Sequence, residues 1–599
     1  MAVSLAAGFA ACSASNDTSQ FGGGGSGGNT GTGAGTTGDG GFGFGGSQLD
    51  GSTCPNGCSA DLKKVLDCNG NLISECTGDQ GCASGSCIDD PCLAAEQSKS
   101  SYGCDYWSLE TDLIPEGAGA CFAAFLANTW TVPVHIDVEY NGQSLPTSAF
   151  TYIPQGQGQA LTYAPYDSAA GLAPGQVAIL FLSRLANGPL VDCPMPPAVN
   201  IDASVHGTAR GHAFHISTDR PVVAYQILPY GGGPSAATSA TLLLPTSAWD
   251  TNYVAVNAYP KSQLVPYAAP SLDVLAMQDN TNVTILPKAA IVGGTGVNAG
   301  NANQPVTYTL NKGEYVQFTQ DAELTGSPIQ SDKPIAVFGG ASCLNIPVST
   351  AACDSSHQQI PPIKALGSEY VGLRYRGRSG MDESVPWRIV GAVDGTQLTW
   401  EPAAPPGAPT SIGLGGVAEW NHTGPFVVKS QDKDHPFYLA AYMTGADALG
   451  TFAGEGDPEW VNVIPSAQYL DSYVLFTDPT YSETSLNVIR RKSKDGQFAD
   501  VTLDCAGVLT NWTPLGQYEW TRVDLVTGNF QNVGNCANGR HEMKSGSRPG
   551  AASTGEWEKS SGGFIREERW RAAARPQRRV RADDALFLVS SASGGRRPR

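Results

Sequence analysis

The stretch Ser331-Asp332-Lys333-Pro334-Ile335-Ala336-Val337-Phe338 decides the fold, because related stretches occur elsewhere in the chain. An earlier copy spans residues 218–225 (TDRPVVAY), and a looser later copy spans residues 432–439 (DKDHPFYL). Proline fixes φ and lacks an N–H, so it suits the first residue of a strand. The apolar run after it predicts a strand buried on both faces. The three prolines are 113 and 102 residues apart, a period that suits one β-domain per copy.

Each copy is preceded by a stretch in which apolar and polar residues nearly alternate, as in half-buried strands. These stretches are residues 282–287 and 396–402, with a fourth at 500–505 and a degenerate first one at 134–139. The pattern predicts three or four related β-units in tandem. We expect an all-β protein of β-sandwich-like units, with a β-propeller as the alternative, preceded by a small disulfide-rich module.

Composition limits the class of partner. The 599 residues carry a net charge of −19, which argues against nucleic acid as a partner. No apolar run is long enough for a transmembrane helix. We find no pattern that predicts a cofactor or a metal site: His541-Glu542 lacks the second histidine of a zinc-protease helix.

The N-terminus resembles a bacterial lipoprotein signal. A short run of small and apolar residues ends at Cys12, which we expect to be lipid-modified, and Ser13 after it favours the outer membrane. Residues 13–51 are rich in Gly and Ser and predict a flexible tether. The alternative is a chance run of small residues in a soluble chain. The lipoprotein interpretation places the protein at the outer membrane or cell surface, or in the secreted fraction.

Fifteen cysteines indicate an oxidising compartment. Eight of them fall in residues 52–104, a segment too small to fold on an apolar core alone, so we expect four disulfide bonds there. Six others lie further along, and proximity in sequence suggests three pairs, of which the last is the remainder: Cys343 with Cys353, Cys505 with Cys536, and Cys121 with Cys193.

The end of the chain changes character at about Ser545, where a basic segment replaces the expected buried strand. Residues 546–599 are either a basic tail that contacts acidic lipids or sequence read after a change of reading frame, which we favour. We therefore expect the last unit to lack its final strand. The expected domains are 1–12 (signal), 13–51 (tether), 52–104 (Cys-rich module), 105–202 (a degenerate first β-unit), 203–545 (the repeat region) and 546–599 (a disordered or frame-shifted tail).

The middle unit resembles the IgGFc-binding protein N-terminal domain family. The residues that carry the resemblance are Leu324-Thr325-Gly326, the motif 331–338, the cysteines at 343 and 353, and Gln359-Ile360-Pro361-Pro362. The resemblance covers approximately residues 203–545 and implies a bacterial, lipoprotein-type member that acts at the cell surface. The family name comes from a mucus protein that binds the Fc part of immunoglobulin G, and a name is not an activity.

The functional hypotheses are based on loops of the predicted disulfide-held β scaffold, because the sequence contains no strong catalytic motif. The polar residues Asp354, Ser355, Ser356 and His357 after Cys353 predict either an exposed binding loop or a disulfide-held corner. The first hypothesis is a lipid-anchored, non-enzymatic adhesion protein that presents loops to an extracellular protein or glycan. The alternatives are an enzyme acting on extracellular polysaccharide, which needs a convergent carboxylate pair, and a structural envelope protein.

Overall fold

The structure is a computed structural model that describes residues 56–558, apart from residues 60, 68–70, 191, 232–237, 352, 379–381, 450–457, 471, 494–495 and 546–554. The described part contains 39 strands and one α-helix, so the prediction of an all-β fold is confirmed. No helix in it has the length and apolar character needed to span a membrane. The predicted signal 1–12 and tether 13–51 lie outside the described residues.

A small disulfide-rich module comes first. Its single helix begins after Asp90, whose side chain accepts from the Leu93 N–H, and Pro91 occupies the first helical turn. Three disulfide bonds hold the module: Cys58–Cys82, Cys76–Cys87 and Cys92–Cys104. The other two cysteines of the expected four bonds, Cys54 and Cys68, lie outside the described residues. The elements are β1 Gly57–Cys58, β2 Lys64–Leu66, β3 Leu72–Glu75, β4 Gly81–Ala83, β5 Ser86–Ile88 and α1 Pro91–Ser98.

The first β-unit is one antiparallel sheet in the order β11-β10-β12-β7-β14-β8-β9, with β6 and β15 also paired to β14. The sheet continues to Leu243, past the domain boundary expected at residue 202. Its strands are β6 Gly103–Ser108, β7 Phe122–Asn128, β8 Ile136–Tyr140, β9 Gln143–Leu145, β10 Thr151–Gln155, β11 Thr162–Pro165, β12 Val177–Ser183, β14 Phe214–Leu228 and β15 Ser239–Leu243; β13 Ala209–His212 joins the next sheet.

The second unit follows the same plan, in the order β13-β20-β17-β21-β18-β19, with β16 and β22 also paired to β21. Its strands are β16 Asp250–Val254, β17 Pro270–Ala276, β18 Thr281–Ile285, β19 Val306–Leu310, β20 Glu314–Thr319, β21 Pro328–Leu344 and β22 Asp354–Ile360.

The third unit has two separate four-stranded sheets, β23-β28-β25-β26 and β27-β24-β29-β30. Buried side chains from both sheets form one core that includes Trp387, Leu398, Phe426 and Leu439, so this unit is a β-sandwich. Its strands are β23 Glu369–Gly372, β24 Val385–Gly391, β25 Thr396–Glu401, β26 Ser411–Ile412, β27 Val417–His422, β28 Phe426–Ser430, β29 Phe437–Met443 and β30 Glu459–Asn462.

The fourth unit repeats this arrangement with sheets β31-β38-β33-β34 and β35-β36-β32-β39, the last also carrying β37 on β36. The expectation that the final strand is missing is wrong, because Gly555–Glu558 (β39) pairs with β32. The same pairing joins β29 to β24 in the third unit. Strands pair through backbone N–H and C=O groups, so the basic composition of the segment after Ser545 does not prevent β39 from pairing. The strands are β31 Ser472–Thr477, β32 Thr484–Arg491, β33 Val501–Leu503, β34 Gly507–Val508, β35 Thr513–Leu515, β36 Tyr518–Thr527, β37 Gln531–Asn532, β38 Gly539–Ser545 and β39 Gly555–Glu558.

The repeated motif is the place where one strand passes from one layer to the other. In β21, residues up to Ser331 pair with β16 and β18, whereas residues from Ile335 onward pair mainly with β17 and β22. Asp332 through Pro334 have no ladder partner in the described part of the chain, so the proline removes no ladder hydrogen bond. The expectation that proline begins a strand is therefore wrong for β14 and β21, which run through it as a bend. We call this bend the proline corner.

Motif side chains close each proline corner locally. The hydroxyl of Ser331 donates to the Lys333 carbonyl (2.6 Å), and Thr218 and Ser430 make the equivalent bond. The Asp332 carboxylate accepts from the backbone and the side chain of Asn282, both at 2.8 Å. The same contact joins Asp219 to His135 and Gln431 to Gln397. The polar half of the motif therefore ties each of these three corners to a strand that lies 34, 50 or 84 residues earlier in the chain.

A buried tyrosine secures each corner from the other side. Tyr253 donates its hydroxyl to the Ile335 carbonyl (2.6 Å), one residue after the motif proline. Tyr370 donates in the same way to Phe437 (2.5 Å), and Tyr106 to Val222 (2.7 Å). These bonds satisfy carbonyls that are buried at the bend.

The four units contact one another in a closed cycle. Tyr315 and Phe338 of the second unit pack into the core of the first unit. Tyr442 and Trp460 of the third unit pack into the core of the second. The third and fourth units share a cluster formed by Val371, Leu373, Val427, Tyr469, Ile489, Leu515 and Tyr518. The cycle closes where Phe476 of the fourth unit packs on Phe125 of the first, with ring centroids 5.1 Å apart.

Candidate functional site

The predicted binding-loop residues do not form a loop. Asp354, Ser355, Ser356 and His357 begin β22, and the last three are almost fully buried. Ser356 donates to Glu459 of β30 (2.7 Å), and the His357 N–H donates to the Ser239 hydroxyl of β15 (3.1 Å). The prediction of an exposed loop is therefore wrong. These polar residues pack between strands of the neighbouring units, which local sequence does not reveal.

Three disulfide bonds lie among the β-units. The structure joins Cys121 to Cys193, Cys343 to Cys353, and Cys505 to Cys536. The first two lie at one end of the cycle, because Cys121 immediately precedes β7 and Cys343 lies near the end of β21. Each stabilises a loop that leaves the sheet at that end.

A group of potential metal ligands in the fourth unit is already occupied by other bonds. Asp504, Cys505 and His541 place their ligand atoms within 4.8 Å of one another. The Cys505 sulfur is bonded to Cys536, however. The two ring nitrogens of His541 face Asp504 Oδ1 (2.9 Å) and the Ala537 carbonyl (2.7 Å). This geometry describes a hydrogen-bonded histidine rather than a metal centre.

A cavity of about 170 Å³ lies where the four units meet. Its wall is mostly apolar, and its polar groups bond to one another: Tyr438 donates to Asn462 (2.5 Å), and Asn462 donates to the Gln359 carbonyl (2.9 Å). Ligand pockets typically have volumes of roughly 300–1,000 Å³, so this cavity is small for a glycan or a peptide.

A better candidate for binding is the set of loops at the end of the cycle that carries Cys121 and Cys343. We define the loop face as residues 115–119, 184–190, 260–267 and 345–351. Tyr267 is 55% exposed, Leu264 44% and Leu185 41%, so three large apolar side chains lie on these loops. The Tyr267 hydroxyl donates to Glu116 Oε1 (2.6 Å), which joins a loop of the second unit to one of the first. This hydrogen bond, more than burial, raises the pKa of Tyr267 to about 12.

Buried polar groups hold the loop face rigid. The Ser262 hydroxyl donates to Asn345 Oδ1 (2.6 Å) and accepts from the N–H groups of Leu264 and Val265. Asn345 in turn donates to the Thr350 carbonyl (2.7 Å). Loop 260–267 is therefore fixed to loop 345–351, which the Cys343–Cys353 bond closes at its base.

The guanidinium of Arg184 performs the same task in the first unit. It is 4% exposed and donates to the carbonyls of Gly119, Gly188 and Leu190. These bonds fix loop 184–190 against loop 115–119. Sequence reasoning missed this surface. The available signal was the apolar Leu264-Val265 pair in a loop bounded by Pro260 and Pro266.

Comparisons with known proteins place the chain in a family. The profile of the family described as "IgGFc binding protein" matches residues 239–555, more than half of the 599 residues. The match begins at β15 and so includes the second, third and fourth units. The human "IgGFc-binding protein" is 25% identical over 330 residues, which are 53% of this chain but 6% of that relative. No solved structure matches. On the extent of the profile match, the chain belongs to the IgGFc binding protein family.

Proposed function

We propose that this chain is a non-enzymatic extracellular binding protein whose loop face docks on a folded protein. The observation that carries the proposal is the exposure of Tyr267 and Leu264 on loops that disulfide bonds and buried polar groups hold in place. Aromatic side chains with an apolar neighbour are typical anchors of protein interfaces. Rigid loops lose little conformational entropy on binding, which favours affinity.

The relatives support a protein ligand. The human relative is named for binding the Fc part of immunoglobulin G, and this chain spans 6% of its length. Fc is therefore the first protein to test, with other extracellular proteins and mucins next. The polysaccharide-acting enzyme and the structural envelope protein remain the competing functions.

We also propose that the protein is attached to the outer membrane or cell surface through a lipid on Cys12. The six disulfide bonds of the described part favour an oxidising compartment. The test is fractionation of cells that express the full chain or Cys12→Ala. We expect lipid on the N-terminal peptide and loss of the membrane-bound fraction in the variant. Equal fractionation of both proteins would contradict attachment through Cys12.

The binding test uses the full chain on an array of Fc, mucins, other extracellular proteins and bacterial polysaccharides. We expect saturable binding to at least one protein, weakened at least tenfold by the double substitution Leu264→Ser and Tyr267→Ser. Val508→Ser is the matched control, because Val508 is a similarly exposed apolar residue (55%) on the fourth unit. Binding to polysaccharide alone, or equal binding by the double variant, would overturn the proposal.

A further inference from the structure

The face of the second unit that packs against the first carries an unusual group of polar side chains. Leu275 and Tyr315 on this face belong to the apolar core of the first unit. The apolar pattern stops two residues before Leu275 in β17 and two residues after Tyr315 in β20. Asp273 of β17 stands directly opposite Gln317 of β20, and Ser271 stands opposite Thr319. Directly opposed residues share a face with Cβ atoms about 4.5–5.5 Å apart, so four oxygen-bearing side chains form one compact group.

The side-chain oxygens of this group are buried and have no hydrogen-bond partner among the described residues. Ser271, Asp273 and Gln317 are all 0% exposed. Within the described residues, no hydrogen-bond partner exists for either carboxylate oxygen of Asp273, for Ser271 Oγ, for Gln317 Oε1 or for Thr319 Oγ1. The amide nitrogen of Gln317 donates to the carbonyls of Val205 (2.7 Å) and Gly207 (2.8 Å), which leaves its oxygen as the free acceptor.

A second carboxylate faces this group from the first unit. Asp112 is 3% exposed, and its Oδ2 accepts from the Gly207 N–H (3.0 Å). Gly207 thus bonds to Asp112 through its nitrogen and to Gln317 through its oxygen, which places the two side chains side by side.

An ionised carboxylate without partners is very unfavourable in a dry interior. A protonated Asp273 would need an acceptor for its O–H, and neither oxygen makes a hydrogen bond to a described residue. Oxygen ligands of Ca²⁺ lie about 2.3–2.6 Å from the ion, so oxygens too far apart to bond to each other can still share one cation. Every unpartnered atom in the group that could ligate a metal is an oxygen, and oxygen ligands suit a hard cation rather than zinc or copper.

We propose that the interface between the first and second units binds one Ca²⁺-class cation through Asp273, Gln317 and Ser271, with Thr319 and Asp112 beside it. The ion neutralises the buried Asp273 carboxylate and joins the two units, whereas Asp112 already pairs with His206 Nδ1 (3.2 Å). Sequence analysis predicted no metal site because Asp273 and Gln317 are 44 positions apart and follow no metal motif. The inference does not depend on the proposed protein ligand.

The test is isothermal titration of the full chain, freed of metal with a chelator, with CaCl₂ at constant ionic strength. We expect one saturable site per chain, at least tenfold weaker in Asp273→Asn, and a higher midpoint of thermal unfolding when Ca²⁺ is added to wild type only. Ser271→Ala, which removes a neutral ligand, should weaken binding severalfold and serves if Asp273→Asn does not fold.

The control is Asp321→Asn, because Asp321 is 77% exposed and pairs with Lys261 on the surface. Binding by this variant should equal that of wild type. The absence of a saturable site in the folded chain would overturn the proposal. The same holds for several weak sites that Asp273→Asn and Ser271→Ala leave unchanged, since the net charge of −19 can collect Ca²⁺ on the surface.

Discussion

The tyrosine at each proline corner gives the sharpest test of the fold. Tyr253→Phe removes a hydroxyl that donates to the Ile335 carbonyl (2.6 Å) and accepts from the Asp250 N–H (3.2 Å). Tyr253 is 1% exposed and Ile335 is fully buried, so water cannot replace the lost partner at the carbonyl. Leaving the buried Ile335 carbonyl without this partner costs about 1–3 kcal/mol. The Asp250 N–H also loses its partner, but Asp250 is only half-buried, so its contribution is smaller. We expect the free energy of unfolding to fall by about 2–4 kcal/mol in total.

The assay is urea unfolding of wild type and variant, followed by circular dichroism. The midpoint should fall while the denaturant slope stays unchanged, because the surface exposed on unfolding is the same. Tyr370→Phe should behave alike, since Tyr370 bonds to Phe437 in the same position. Tyr267→Phe is the control, because its hydroxyl is exposed, and it should change stability by less than about 0.5 kcal/mol. If Tyr253→Phe and Tyr267→Phe are equally stable, the tyrosine does not secure the corner.

Three further predictions concern single sites. Hydrogen bonds from Asn282 lower the pKa of Asp332, so the contribution of Asp332 to stability is present above its ordinary pKa of 3.8 and is lost as pH falls through the folded value. The free energy of unfolding should therefore fall less steeply with decreasing pH in Asp332→Asn than in wild type. The same pH dependence in both proteins would contradict this. Glu383→Gln removes the carboxylate that pairs with the buried Arg378 guanidinium (2.8 Å) and should cost about 3–5 kcal/mol in urea unfolding. A change below about 1 kcal/mol would show that the pair is dispensable. Replacing Cys121 and Cys193 by serine opens a loop of 72 residues and should lower the free energy of unfolding by about 4 kcal/mol. A thermal midpoint that is unchanged by reduction of the disulfide bonds would refute this prediction.

Much of the fold could be predicted because its signals are local. Residues 282–287 cover all but the first residue of β18, and residues 396–402 and 500–505 contain β25 and β33, as their alternation indicates. The apolar run after Pro334 is the buried second half of β21. Residues of these stretches are adjacent in sequence and in space, so periodicity alone identifies them.

The remaining features depend on contacts between distant residues. Tyr253 and Ile335 are 82 positions apart, so the tyrosine of the corner is invisible in a local pattern. The residues 354–357 are polar enough to predict a loop, yet β15 and β30 bury them as a strand. Exposure of Leu264 and Tyr267 follows from how the loops leave the sheet, which composition does not encode.

The most direct measurement of the central claim is hydrogen–deuterium exchange of the full chain, alone and saturated with the protein that binds best on the array. The loop face should gain protection in residues 260–267 and 345–351, while the exposed strand around Val508 should not change. Protection confined to another surface, or a folded chain that binds no protein on the array, would contradict a protein-binding function for the loop face.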